Sequence, residues 1–443
     1  MEAGTLKRPR ILKKTHKNLE EKCDPLTSLP EPLLHHILSY LTMKDRIRTS
    51  VLAKRRRYMW LYVPCLKFSP MKISRSKEVA FINQSLLLHK GPSIQKFSLT
   101  FLQPDAETHH VDSWIYFAKT RNVNELNLDF NDIRHVHRYR LPHFLFSMTS
   151  LTVLSLVRYL STFVYMYCGS TMKTLKIHES DQGSSDSLLS IGGHYIASFE
   201  LVTTMSRKYY LIHGMRPLER SSFGCDKVNY GQYETGKENT VFKILDSVRH
   251  AKLLRLCSRY IQLKLQALCR NKEQRLNCLL FNATCLEIKT GLTKGELPGI
   301  SCMLGHSPNI KTLIISIEKI HAKNLNNNSE GGEYWKLQEP IFVDLLCNLK
   351  DLKIYNLMKN FESKEMSTSE DFIAHLQNDM IFLRFLLKTS KVMERMTITT
   401  FKNVKFGRHS ESKKFKLLFQ LTQELLAFPQ SFSSRSNIIQ LKL

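Results

Sequence analysis

A short apolar-x-apolar signature recurs along this chain. It stands at Phe97-Ser98-Leu99, Leu126-Asn127-Leu128, Leu154-Ser155-Leu156, Leu175-Lys176-Ile177 and Phe199-Glu200-Leu201, with steps of 29, 28, 21 and 24 residues between first members. It resumes at Leu254-Arg255-Leu256, Leu286-Glu287-Ile288, Leu313-Ile314-Ile315, Leu352-Lys353-Ile354 and Met396-Thr397-Ile398. Alternation of period two predicts strands whose flanking side chains enter a core. A unit with one strand and a return segment cannot cover its own apolar face. Stacking covers it, which predicts a curved solenoid with a parallel sheet and an extended concave surface. The irregular period leaves a second arrangement open, a single alternating α/β domain with a conventional sheet. From about 205 to 238, a stretch rich in Tyr and Ser, no unit is legible.

Ahead of the repeats, Asp24 to Phe68 carries three short helical patterns. Leu33, Leu34, Ile37, Leu38 and Leu41 recur at helical spacing and line one face of the first, which starts near Ser28-Leu29-Pro30-Glu31. Asp45 opens a second, with Ile47, Val51 and Leu52 turned inward. A third carries Tyr58, Met59, Trp60 and Leu61 and ends near Pro64. About 40 residues is the limit at which a fold buries enough surface alone. So many large apolar side chains either leave a patch for a protein partner or pack on the rest of the chain. Patterning does not decide between these.

The order of residues adds to this. Leu29-Pro30-Glu31, Leu34, Ile37-Leu38-Ser39, Leu41, Lys44-Asp45, Arg48-Thr49-Ser50, Leu52, Lys54-Arg55 and Trp60 closely resemble an F-box of the plant type. The resemblance implies binding to the small acidic Skp-type adaptor of cullin-based ubiquitin ligases, and through it to a cullin. By the same resemblance Leu29, Pro30, Ile37, Leu38, Leu41, Val51, Leu52 and Trp60 face the adaptor or support that face. Two positions depart from the family pattern. Met43 stands in a turn where Pro is frequent, and Arg56 stands where the family usually has a second Trp, which puts the firmness of the motif and its adaptor binding in question. The repeat period falls in the window of leucine-rich repeats. The spacer Gly291 to Ile300, with Ser307 to Leu313 after it, resembles the late repeats of plant F-box/leucine-rich-repeat proteins. Leu349 to Ile354, Phe382 to Lys388 and Val392 to Ile398 resemble the FBD segment that often ends that family, strand, helix, strand.

The expected architecture is therefore α/β. A basic, disordered leader (1–22) precedes a three-helix F-box (24–68), a leucine-rich-repeat solenoid (69–342), an FBD-like segment (343–400) and a C-terminal helix and tail (401–443). Helical patterns are read at Glu78 to Leu88 and Phe415 to Phe428, and the tail supplies a final strand or a cap.

Charge and motifs narrow the function. The chain has 65 Lys plus Arg against 39 Asp plus Glu, a formal charge of +26. Such an excess favours encounters with polyanions or with an acidic protein partner. Its diffuse spread, with no basic stripe interleaved with aromatics, argues against direct nucleic-acid binding. No run of 18 apolar residues and no apolar leader are present, so no membrane is expected and the chain reads as intracellular, in nucleus or cytoplasm. Lys7-Arg8-Pro9-Arg10 with Lys13-Lys14 is a candidate import signal. Ten single cysteines with no Cys-x-x-Cys, Cys257 and Cys285 among them, read as buried small hydrophobes. His35-His36, His109-His110, His135 and His137 lack companions at ligand spacing and read as surface histidines. No phosphate-loop, dinucleotide, nucleophile-elbow or zinc-protease motif occurs. The expectation is a non-catalytic substrate receptor without cofactor or metal, whose target protein is not legible. The alternatives are a basic nucleic-acid-associated scaffold and an F-box protein that no longer binds its adaptor.

Overall fold

The computed structural model describes residues 29–51, 57–101, 108–130, 139–158, 163–179, 188–203, 209–215, 218–225, 238–261, 280–293, 295–318, 331–342, 346–357, 380–390, 392–400, 419, 423 and 438–442. The leader, Ser28, Leu52, Arg56, His135, His137 and most of the 415–428 pattern lie outside these residues.

The strands are β1 (Cys65–Phe68), β2 (Lys96–Phe101), β3 (Glu125–Phe130), β4 (Val153–Val157), β5 (Phe163–Tyr167), β6 (Thr174–His178), β7 (Leu188–Gly192) and β8 (Ser198–Val202). After them come β9 (Tyr209–His213), β10 (Arg220–Gly224), β11 (Leu253–Leu256), β12 (Cys285–Thr290), β13 (Thr312–Ile317), β14 (Asp351–Leu357), β15 (Arg395–Thr400) and β16 (Ile438–Lys442). Thirteen of them form one parallel sheet in the order β1-β2-β3-β4-β6-β8-β10-β11-β12-β13-β14-β15-β16. The order never reverses, so there is no switch point, and the arrangement is a solenoid rather than a doubly wound domain.

All ten signatures lie in this sheet in a single register. One column runs Leu66, Phe97, Leu126, Leu154, Leu175, Phe199, Ser221, Leu254, Leu286, Leu313, Leu352, Met396 and Ile439. From Leu66 to Met396 every member is buried, as is the parallel column from Phe68 to Ile398. A carbonyl just ahead of each strand commonly takes two N–H groups of the next coil. Lys173 O, for example, accepts from Ala197 N and Ser198 N, and Lys311 O accepts from Lys350 N and Asp351 N.

The poorly patterned stretch contains β9 and β10. Strand β10 reads Ser221-Ser222-Phe223, so its first core position is a hydroxyl, which is why no signature marked it. The short steps have a cause too. From Leu154 to Leu175, Phe199 and Ser221 the chain takes 21, 24 and 22 residues, and in those coils the return leg is a strand. Strands β5, β7 and β9 pair in parallel as a second, three-stranded sheet. An extended residue covers about 3.3 Å against about 1.5 Å in a helix, so fewer residues close the coil. Elsewhere the return legs carry helices: Arg75–Leu88, Thr108–Thr120, Glu238–Ser247, Leu297–Gly305, Gly331–Phe342 and 380–389.

Where the two sheets meet, the fully buried Glu179 receives Thr203 Oγ1 at 2.5 Å and Tyr210 Oη at 2.9 Å. At the C-terminal end Trp335 lies 4.7 Å from Phe382 and 4.6 Å from Phe385, centroid to centroid, which packs Gly331–Phe342 on the helix 380–389. The sheet runs without a break from β13 through β16, and the tail supplies its last strand. Cys168 and Cys302 are buried, but Cys257 and Cys285 are half-buried, which corrects the reading of those two as core residues. Cys285 opens β12 on the sheet face away from the core, where a strand residue of that parity must point.

The spacer before β13 shows why it carries Gly299. A Cβ there would sit 2.3 Å from Ile261 O and 2.7 Å from Ile261 Cγ2. Gly299→Ala is therefore expected to lower stability by about 2 kcal/mol in urea unfolding, although Ala is the better helix former. An unchanged midpoint would contradict that close approach.

Candidate functional site

The N-terminal module is built from α1 (Glu31–Ser39), α2 (Met43–Thr49) and a 3-10 turn, Met59–Tyr62. Pro30 caps α1 with its fixed φ, and Thr42 caps α2, its Oγ1 accepting from Asp45 N at 3.3 Å. Leu34, Leu38, Met59 and Val63 form a small core of their own, with Leu29 and Leu41 partly covered against it. Met43, Ile47 and Trp60 join the solenoid core instead. Met43, a departure from the family pattern, is fully buried at the start of α2.

The apolar face of α1 is only partly covered, since Leu34 and Leu38 are buried while Leu33 is 50% and Ile37 43% exposed. One expected helix face needs correction. Val51 does not point inward: α2 ends at Thr49, and Val51, two residues beyond, is 86% exposed. The inward groups of α2 are Met43, Arg46 and part of Ile47.

Of the residues expected at an adaptor surface, Pro30, Ile37 and Val51 are exposed, and Leu29, Leu41 and Trp60 are half-buried. Leu38 is buried under α1, and Leu52 lies outside the described residues. The structure adds Leu33, Tyr40, Tyr58 and Tyr62, all exposed. Leu33, Ile37 and Tyr40 follow one another at helical spacing of four and three, so they form one uncovered stripe along α1. That spacing was available in the sequence, but Leu34 and Leu38 beside it carry the same apolar signal. Tyr40 is held against His36, its hydroxyl 3.2 Å from His36 Nε2.

Arg46 had no signal in the sequence. It is fully buried and donates Nε to Leu38 O at 2.5 Å, Nη2 to Ser39 O at 2.9 Å and Nη1 to Cys65 O. Two of these carbonyls end α1 and the third opens β1, so one guanidinium joins the module to the solenoid. The negative end of α1 suits its charge. Burial draws its pKa down to about 10, which leaves it protonated at neutral pH.

The second surface is the open face of the sheet, made of side chains that alternate with the buried columns. Glu125, Asp129, Glu200, Glu287 and Asp351 are each matched by a cation from a neighbouring strand or the residue after one. Lys96 and Glu125 stand 3.1 Å apart, Arg255 and Glu287 2.7 Å, and Arg395 and Asp351 3.5 Å, while Arg158 holds Asp129. Glu200 takes His178 at 3.3 Å and Lys176 at 3.5 Å. The His178 hydrogen bond comes first in holding the Glu200 carboxyl down to about 2; burial opposes it, and the His178 and Lys176 charges assist. A depressed carboxylate contributes stability above its ordinary value of 4.5 that is lost as the pH falls toward 2. Glu200→Gln should accordingly be less stable than the native chain at pH 6, with the gap closing by about pH 2–3 in urea titrations. A gap independent of pH would contradict the pairing. A groove with Ser98, Asn127, Asp129, Val153 and Ser155 in its lining opens on the same face toward the N-terminal end. Among the described residues there is no group of three or more His, Cys, Asp or Glu placed to hold a metal, and no helix long and apolar enough to cross a membrane.

Residues 26–65 match the F-box domain. A putative F-box/LRR-repeat protein of Arabidopsis thaliana is 24% identical over 433 residues, covering 86% of this chain and 88% of the relative. An F-box/LRR-repeat protein of the same plant is 24% identical over 437 residues, 85% and 88% of the two chains. An FBD-associated F-box protein, also from Arabidopsis thaliana, is 33% identical over 157 residues, 35% of this chain and 37% of its own length.

Proposed function

We propose that this chain, which resembles the plant F-box/leucine-rich-repeat proteins, is the non-catalytic substrate-recognition subunit of a Skp–cullin–F-box ubiquitin ligase. The observation that carries this reading is the uncovered stripe Leu33, Ile37 and Tyr40 on a module whose private core is four residues. An apolar stripe beside so small a core is a surface another polypeptide completes. The adaptor binds the module and brings the cullin, and the open sheet face holds the target. Catalysis is then by proximity: tethering raises the effective concentration of the target's lysines near a ubiquitin-loaded conjugating enzyme. The site of action is the nucleus or cytoplasm, where a basic segment such as Lys7 to Arg10 would serve import.

The test is capture of the full chain on a purified Skp-type adaptor. Retention supports the reading, and no retention above an unrelated solenoid overturns it. The scaffold alternative expects nucleic-acid binding that weakens steeply with salt; the matched ion pairs over much of the open face disfavour it.

A further inference from the structure

The ion pairs do not exhaust the cations of the open face. Among the described residues Arg220 on β10, Lys289 on β12 and Lys353 on β14 project from that face with no carboxylate paired to them, and all three lie in its C-terminal half, whereas Lys67 on β1 stands alone at the opposite end. The N-terminal half, by contrast, is balanced, pair by pair, from Lys96 to Glu200. Register sets Arg220 and Lys353 on either side of β12. Arg220 aligns with Leu253 and then with Cys285, and Lys353 aligns with Ile314 and then with Glu287. Burial raises the Cys285 thiol first and Glu287 adds to that, while Lys353, Arg220 and the paired Arg255 pull against both. Half-exposed Ile314 lies between them and exposed Tyr355 at their edge, so the patch also offers apolar contact.

We propose that the sheet face over β10 to β14 is the target-docking surface and that it takes an extended, acidic, carboxylate-rich peptide segment of the target protein. Charge complementarity selects the occupant, since Glu287 and Asp351 are already paired and the cations Arg220, Lys289 and Lys353 outnumber the one further acid, Glu318 just after β13. Dimensions agree. Four strand intervals at about 4.8 Å span about 19 Å, the length of about six extended residues. A segment crossing the strands would place alternate carboxylates over Arg220 and Lys353 and an apolar side chain on Ile314.

This inference rests on the receptor reading, but the two fail separately, because adaptor capture reads α1 and peptide binding reads the sheet. The probe is a fluorescent oligoglutamate of about ten residues, followed by anisotropy against the full chain at low salt. The double variant Arg220→Glu/Lys353→Glu should weaken binding at least about tenfold. Lys72→Glu/Lys77→Glu, exposed residues in and just before the helix Arg75–Leu88, changes the net charge equally and should leave binding within about twofold. Oligoglutamine of the same length should not bind. Equal losses in the two double variants would mean diffuse attraction by the net charge and would overturn the proposal, as would no oligoglutamate binding by the native chain. Adaptor capture by Arg220→Glu/Lys353→Glu should match the native chain, which shows the variant folded.

Discussion

Replacing Leu33 and Ile37 together by Glu is expected to abolish capture by a Skp-type adaptor, a loss of at least about a hundredfold, with the thermal midpoint almost unmoved. The asymmetry follows from burial. Both side chains stand half exposed on one face of α1, while Leu34 and Leu38 on the other face hold the module together with Met59 and Val63. Two carboxylates on the stripe would have to be desolvated against an apolar, acidic partner, which is costly, but in the free chain they remain in water. Leu38→Ala is the contrasting substitution: it removes a member of a four-residue core and should lower stability by about 2–3 kcal/mol. Adaptor retention by the double Glu variant would show that the stripe is not the contact and would leave the receptor reading without its main support.

Arg46→Ala carries the largest stability effect, about 4 kcal/mol in urea unfolding. Three carbonyls on two separate elements lose one shared donor, and the space vacated is fully enclosed. Arg46→Lys should recover less than half of the loss, because a single ammonium cannot reproduce a fork aimed at Leu38, Ser39 and Cys65 together. The readout specific to the joint is hydrogen exchange. The amides of α1 and of β1 should lose protection together in Arg46→Ala, whereas those of β12 to β14 should keep theirs. Uniform loss across the whole sheet would instead make Arg46 an ordinary core residue.

The two effects bear on the proposed receptor role. Cys65–Phe68, at the end of the F-box match, is also the first strand of the solenoid sheet. Under the proposal above, an adaptor seated on α1 would be tied through Arg46 and β1 to the sheet face, and proximity chemistry would benefit from that stiffness.

What the sequence determined by itself was the part governed by period. Apolar residues two apart, recurring along the chain at steps of 21 residues or more, have one economical solution, and all ten signatures took their place in one register. The motif order from Leu29 to Trp60 likewise marked the module that the comparisons match. Tertiary structure decided the rest. Ser221 occupies a core position without an apolar side chain, because strands on both sides already align it. The second sheet of β5, β7 and β9 arose from coils whose return legs are extended, which made the period look irregular. At the module, Leu33, Leu34, Ile37 and Leu38 are chemically alike, so only the neighbours that each one meets separate core from contact surface. The same holds for Arg46, whose role exists only where Leu38, Ser39 and Cys65 converge, and for the surplus of Arg220 and Lys353, visible only once the ion pairs of that face are known. Local pattern fixes which side chains must be covered; the packed chain alone fixes by what.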